Sequence, residues 1–161
     1  MEGLPLGLWG ISQAGWIVPI AATRHSVDFV VLSSGPTCTT EEEHVYSRIR
    51  GDDVDAFTDT REAAEAAVVR HGPGGFDPFK YLMQMNAPGL WVFGALDNSI
   101  PVRRSTQVLE DLIDAGKPFK YHVLPEADHL LVSRAGIPDF DQSFWEITDG
   151  WLETHVFSNT R

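Results

Sequence analysis

The residues with the clearest chemical potential lie near the start of the chain, in the segment Gly10-Ile11-Ser12-Gln13-Ala14-Gly15. Apolar runs at 4–9 and 13–23 flank its serine, which predicts a strand, a sharp turn and a helix. Such a turn exposes the serine hydroxyl above the sheet, and small residues two positions before and after it avoid clashes. Ser12 is therefore predicted to be a nucleophile. The alternative is an ordinary turn in which Ser12 caps the helix.

A serine hydroxyl is a poor nucleophile at neutral pH, so a general base and an orienting carboxylate are expected further along the chain. Asp97 follows the apolar run 89–94, and His129 follows the predicted strand 119–124. The C-terminal ends of parallel strands meet at one edge of a sheet, which predicts that Ser12, Asp97 and His129 converge. The backbone N–H of Gln13, at the start of the helix, is predicted to stabilise an oxyanion.

Asp97 and His129 each have an ordinary alternative when taken singly. Asp97 fits a turn or helix-cap residue equally well, and His129 is one of six histidines in the chain. Their joint placement favours the catalytic interpretation, because serine, acid and histidine follow successive strands in the chain order typical of one hydrolase fold.

The elements that must position these residues alternate between strand and helix. Segments at 4–9, 27–32, 91–94 and 119–124 predict four strands, and helices are predicted at 13–23, 102–115 and 140–157. This alternation predicts an α/β fold with a mainly parallel sheet and helices on both faces. Residues 37–86 are far longer than the usual connection of about 4–6 residues and predict a helical insertion. The insertion is either a lid or a surface helical pair with no role in substrate access.

Composition limits the class of partner. The chain has 161 residues with 43% apolar, which fits one domain with a sizeable core. Its formal net charge of −11 argues against nucleic acid and anionic membranes as partners. Cys38 is the only cysteine, so an internal disulfide is excluded and a cytoplasmic location is favoured. Neither a secretory signal nor a membrane-spanning stretch is predicted.

Two further motifs are weak. The aspartates at 52, 53 and 55 lack the ligand spacing of an EF-hand, so a solvated helix face is the better interpretation. The segment 72–75, Gly-Pro-Gly-Gly, lacks the Lys-Ser/Thr of a phosphate-binding loop and predicts a turn.

Five segments carry a family resemblance: GLWGISQAGWIVPIAA, FVVLSSGP, FDPFKYL, LWVFGALDNSIP and LPEADHLL, spread from Leu8 to Leu131. They resemble the C-terminal part of α/β-hydrolases of the serine esterase, dienelactone-hydrolase and prolyl-oligopeptidase-like group. The resemblance implies a Ser12–Asp97–His129 triad that cleaves esters or related acyl bonds of small molecules through an acyl-enzyme, without a cofactor or metal. A peptidase and a weakly active assembly module are the alternatives.

The chain departs from that group in one respect. Members carry further strands before the strand that leads to the serine, together with the loop that supplies a second oxyanion donor. Here the serine-bearing strand is predicted to be an edge strand with unpaired N–H and C=O groups, so we expect a homo-oligomer that covers it. Four aromatic residues are candidates for an acyl pocket, with core packing as the alternative: Trp9, Trp16, Phe76 and Phe79.

Overall fold

A computed structural model describes residues 4–50, 60–134 and 139–158. The elements, in chain order, are β1 (Gly7–Ile11), α1 (Ala14–Arg24), β2 (Phe29–Ser33), α2 (Thr40–Arg50), α3 (Arg61–His71), α4 (Phe79–Gln84), β3 (Gly89–Gly94), α5 (Val102–Asp114), β4 (Phe119–Leu124), β5 (Val132–Ser133), β6 (Asp139–Phe140), α6 (Ser143–Leu152) and a π-helical turn, Glu153–Phe157. Within these segments, no helix combines the length and the apolar character needed to cross a bilayer.

The main sheet has four parallel strands in the order β1-β2-β3-β4. This confirms the predicted α/β fold. All six residues of β3 are buried, which matches a strand covered on both faces in a parallel sheet. Among the described residues β1 pairs with β2 alone and therefore lies at an edge of the sheet.

Alternate strand residues point to opposite faces of the sheet and build two hydrophobic clusters. On one face, Leu32, Trp91 and Phe93 pack with residues of α1, α4 and α5. On the other face, Val31 and Val92 pack with residues of α6 and the π-helical turn. The helices thus cover both faces, as the alternation of strand and helix predicts.

The C-terminal region differs from the predicted helix 140–157. Asp139 and Phe140 form a short antiparallel pair with β5, and α6 begins at Ser143. The side chain of Asp141 accepts a hydrogen bond from the Ser143 N–H at 3.0 Å, which explains the start of the helix. A two-residue strand has no detectable periodicity, so the apolar Phe140 fits the helical pattern of the residues that follow it.

The insertion between β2 and β3 is helical, with α2, α3 and α4 inside the predicted range 37–86. Tyr46 of α2 packs with Ala64 and Val68 of α3 in a small buried cluster. The aspartates at 52, 53 and 55 lie outside the described residues. The function of the insertion as a lid stays a prediction.

Candidate active site

Ser12 sits at a sharp turn between β1 and α1. Its φ of 54° lies in the left-handed region, which is uncommon for a residue other than glycine. Two backbone hydrogen bonds hold it there: the Ser12 N–H donates to the Ser33 carbonyl, and the Ser12 carbonyl accepts from the Gly15 N–H, each at 2.9 Å. Strained backbone of this kind persists only where the surroundings enforce it, and it concentrates at functional sites.

The small residues around Ser12 permit a close crossing of strand and helix. A Cβ atom built on Gly10 would lie 2.3 Å from the Cβ of Ala14, and one on Gly15 would lie 2.5 Å from the backbone oxygen of Pro36. Such distances leave no room for a side chain at either glycine. The turn therefore requires glycine at positions 10 and 15 for a steric reason.

A continuous hydrogen-bonded chain links the three residues selected from the sequence. The Nε2 atom of His129 lies 3.0 Å from the Oγ of Ser12, and its Nδ1 atom lies 2.9 Å from the Oδ2 of Asp97. Asp97 is 1% exposed, and its Oδ1 accepts hydrogen bonds from the N–H groups of Ser99 and Ile100, both at 2.8 Å. The carboxylate therefore has one oxygen for the loop and one for the imidazole.

Asp128 shapes the loop that carries His129. Its Oδ1 accepts from the N–H groups of Leu130 at 2.9 Å and Val132 at 3.0 Å, and its Oδ2 pairs with Arg134. These bonds fold 128–132 tightly at the end of β4. Asp128 is not among the residues predicted from the sequence, although an Asp immediately before the predicted base is a typical turn signal.

Gly94, the last residue of β3, also supports the His129 loop. A Cβ on Gly94 would lie 2.3 Å from the carbonyl oxygens of both Ala127 and Asp128. The loop therefore rests directly on the backbone of β3. From the sequence alone, Gly94 is predicted only to end a strand.

The electrostatic surroundings of His129 favour its protonated form. Burial, the largest single influence, lowers the pKa of the imidazole. The hydrogen bond and negative charge of Asp97, with the charges of Asp128 and Glu43, outweigh burial, so the pKa of His129 is raised. A base with a raised pKa holds a transferred proton well.

The geometry suits proton transfer from Ser12 to His129. Asp97 fixes the tautomer in which Nδ1 carries the proton, which leaves Nε2 free to accept the serine proton. Gln13 directly precedes α1, and its N–H is among the first of the helix, which lack partners within the helix. This placement makes the Gln13 N–H suitable for stabilising negative charge beside Ser12.

An apolar pocket of about 270 Å³ lies beside the site. Its lining includes Ile11 and Leu130, the chain neighbours of Ser12 and His129, together with Trp9 and Phe140. Trp9 also donates from its indole N–H to the Oγ of Ser33 at 3.3 Å.

The other three aromatic candidates do not line this pocket. Trp16 donates its indole N–H to the backbone oxygen of Cys38 at 2.9 Å. Phe76 stacks on Tyr81, and Phe79 is partly exposed on α4. Packing or surface exposure accounts for each of them.

The described residues provide neither a metal site nor a reactive thiol. Across the part of the chain that the structure describes, no group of three or more His, Cys, Asp or Glu side chains could hold a metal ion. Burial raises the pKa of the Cys38 thiol to about 12, so it stays protonated and unreactive at neutral pH.

The model of the prolyl oligopeptidase family of peptidases matches residues 4–156. The chain belongs to this family. Its fold is that of α/β-hydrolases, and the implied class is a hydrolase of peptidase or esterase type. This confirms the family resemblance of the five sequence segments. No curated protein matches the chain.

Solved structures share the fold at low sequence identity. An acylaminoacyl peptidase from Pyrococcus horikoshii is 17% identical with a TM-score of 0.64, covering 94% of this chain and 24% of that one. A dipeptidyl peptidase 4 from Porphyromonas gingivalis is 16% identical with a TM-score of 0.58, covering 93% and 19%. Esterase PE8 is 18% identical with a TM-score of 0.52, covering 93% and 50%. The chain thus spans between about a fifth and a half of the length of these proteins.

Proposed function

We propose that this chain is a serine hydrolase that cleaves carboxylic esters through Ser12, His129 and Asp97. The hydrogen-bonded sequence from Ser12 Oγ through the imidazole to Asp97 Oδ2 is the observation that carries the proposal. Membership of the prolyl oligopeptidase family, whose chemistry is hydrolytic, supports it.

In the proposed reaction, Ser12 Oγ attacks the acyl carbon while His129 Nε2 takes the hydroxyl proton. The tetrahedral intermediate collapses as His129 gives that proton to the departing alcohol, which leaves an acyl group on Ser12. Water then attacks this ester, its proton passes to His129, and the same proton returns to Ser12 as the acid departs. Asp97 stays ionised throughout and stabilises the imidazolium.

The Gln13 N–H is the proposed donor to the oxyanion. Removal of one oxyanion donor typically costs about 100–1,000-fold in turnover, so the Gln13 N–H is expected to contribute a rate effect of that size.

The apolar pocket beside the site supports a small acyl group as the substrate moiety. Its volume of about 270 Å³ and its lining by Trp9, Ile11 and Leu130 suit a short hydrocarbon chain. Peptide-bond cleavage is the alternative within the same chemistry, and the structural likeness to two peptidases supports it. Rates on a p-nitrophenyl ester and on a matched p-nitroanilide distinguish the two.

A fluorophosphonate probe tests the proposal most directly, because it phosphonylates only an activated serine. The full chain should be labelled at Ser12, and Ser12→Ala should not. Ser26→Ala, at a serine outside the site, is the matched control and should retain the label. A folded chain without labelling at Ser12 would overturn the proposal. Hydrolysis of a short-chain p-nitrophenyl ester, with the same two variants, then measures turnover.

A non-catalytic assembly module is the second candidate, supported by the edge strand. The strand β1 and the residue before it carry exposed apolar side chains, at Leu6, Trp9 and Ile11. No charged residue occurs between Glu2 and Arg24, although the whole chain has a net charge of −11. Such an edge lacks the charges that usually prevent strand-to-strand association. We propose that a second copy of this chain covers it.

A further inference from the structure

Helix α2 of the insertion contacts the loop that carries Asp97, here termed the acid loop and comprising residues 95–101. The hydroxyl of Tyr46 donates a hydrogen bond to the backbone carbonyl of Asp97 at 3.1 Å. One turn further along α2, Arg50 donates from Nη2 to the Oδ1 of Asn98 at 2.7 Å. Two successive residues of the acid loop are thus held from one helix.

The N-terminal end of α2 is itself firmly fixed. Glu42 accepts hydrogen bonds from the N–H of Thr39 at 2.8 Å and from its hydroxyl at 3.0 Å, while the Glu42 N–H donates to that hydroxyl at 3.3 Å. This is a capping box. The other oxygen of Glu42 pairs with Arg104 of α5 at 2.7 Å, in a site where Glu42 is 3% exposed.

The segment before α2 adds a further link to α5. The hydroxyl of Thr37 donates to the backbone carbonyl of Ser105 at 2.7 Å. Because α5 begins directly after the acid loop, α2 and the acid loop share one anchor. These contacts are those of a fixed support for the acid loop, and they oppose an opening motion of α2.

The Tyr46 hydroxyl can donate a hydrogen bond throughout the neutral pH range. Its side chain is buried, and burial raises the pKa of its phenol to about 12, so the hydroxyl keeps its proton at neutral pH. The charged groups that influence it are Arg61, Glu65, Arg50 and Asp97. The Asp97 carbonyl is the acceptor of this hydroxyl, and a buried carbonyl left without a donor is costly.

We propose that Tyr46 is a positioning residue that orients Asp97 toward His129 by holding the Asp97 backbone carbonyl. The inference rests on the proposed function of Asp97. Tyr46 touches neither the substrate nor the reacting atoms. Its effect is transmitted through the acid loop, because the Asp97 side chain bonds the imidazole at one oxygen and its own loop at the other.

The variant Tyr46→Phe removes the hydroxyl and keeps the ring. We expect the rate of fluorophosphonate labelling at Ser12 to fall about tenfold, because small misalignments of catalytic groups are costly. We also expect the pH midpoint of labelling to move downward, since a looser contact with Asp97 raises the pKa of His129 less. Asp128 and Glu43 also act on His129 and are unchanged in this variant.

Two control variants separate positioning from stability. Tyr121→Phe removes a hydroxyl that donates to Glu110 at 2.6 Å, outside the acid loop, and should leave rate and midpoint unchanged. Val68→Ala weakens the packing of α2 on α3 but leaves the Tyr46 hydroxyl in place. It should lower thermal stability without moving the midpoint. A Tyr46→Phe midpoint equal to that of the wild type, or an equal shift in Val68→Ala, would overturn the proposal.

Proton NMR provides a readout that does not depend on labelling. The His129 Nδ1 proton bonded to Asp97 should give a downfield signal that is absent in His129→Ala. In Tyr46→Phe this signal should exchange faster with water or disappear, and an unchanged signal would contradict the positioning role. If the wild type is not labelled but shows a signal that Tyr46→Phe loses, the proposed hydrolase function fails while the positioning of Asp97 by Tyr46 stands.

Discussion

The backbone carbonyl of Asp128 packs directly over Gly94. A methyl group on Gly94 would lie 2.3 Å from that oxygen, well inside van der Waals contact. Because His129 is the next residue, the position of the imidazole depends on the lack of a side chain at the end of β3. One glycine thus sets the height of the His129 loop above the sheet.

Gly94→Ala is expected to displace this loop and to reduce the rate of fluorophosphonate labelling at Ser12 by about 100-fold, the loss typical of a misplacement near 1 Å. The rate of labelling at fixed probe concentration measures the effect. Gly150→Ala is the matched control, because a Cβ on Gly150 meets no atom within 4 Å. It should label like the wild type, with unfolding free energy unchanged or raised by up to about 1 kcal/mol. Equal labelling of both variants would contradict the steric role of Gly94.

Labelling of Ser12 is expected to rise with pH as His129 loses its proton, because only the neutral imidazole accepts the serine proton. The pKa of His129 is raised, so the midpoint should lie above the ordinary imidazole value of about 6.5. Labelling rates measured at about nine pH values between pH 5 and pH 9 define this midpoint.

Asp97→Asn tests the cause of that raised pKa. The amide removes the negative charge, so the midpoint should move to lower pH, and it presents the wrong hydrogen-bonding partner to Nδ1, so the rate should fall by about 10⁴-fold. Asp77→Asn is the control, since Asp77 accepts a similar local bond from the Phe79 N–H outside the site. A wild-type midpoint below 6.5, or one unmoved by Asp97→Asn, would contradict this description of the electrostatics.

Glu42→Gln is expected to lower the free energy of unfolding by about 3 kcal/mol, because it leaves Arg104 beside a buried site without its counter-charge. Urea unfolding followed by tryptophan fluorescence measures the loss. Glu41→Gln is the control: Glu41 directly precedes Glu42, pairs with His71 and is 55% exposed. The decrease in the free energy of unfolding of Glu41→Gln should stay below about 1 kcal/mol. Similar losses in the two variants would show that burial of the Glu42 pair has no special weight.

The full chain is expected to sediment as a dimer or larger species at micromolar concentration. Leu6→Lys places a charge on the exposed apolar edge and should shift the chain toward the monomer. Val69→Lys, on the exposed surface of α3, should not. Analytical ultracentrifugation of the wild type and the two variants at matched concentration measures their oligomeric states. A monomeric wild type would contradict association through β1.

Sequence reasoning was effective where the signal is local. The Gly-x-Ser-x-Ala pattern lies between two apolar runs, and the structure has the predicted turn at Ser12. Asp97 follows the continuously apolar strand β3, and His129 follows β4, in which apolar residues alternate with Lys120 and His122. Their convergence then follows from the geometry of parallel sheets. Only the catalytic roles of these residues stay predictions.

The signals that were missed are long-range or very short. Tyr46 and the Asp97 carbonyl are 51 residues apart, and nothing in the sequence near either residue indicates that they bond. The contact of Gly94 with Asp128 likewise depends on the path of a loop after the next strand. The β5–β6 pair consists of two residues on each side, too few for any periodic pattern.

The hydrogen bond between Ser12 and His129 joins residues 117 positions apart and requires every strand of the sheet to be in place. Under the proposed chemistry, the serine is reactive only in molecules in which this hydrogen bond has formed. A covalent label on Ser12 would then count native molecules in a mixed population. The same reaction, followed during refolding, would report when the residues that follow β1 and β4 first meet.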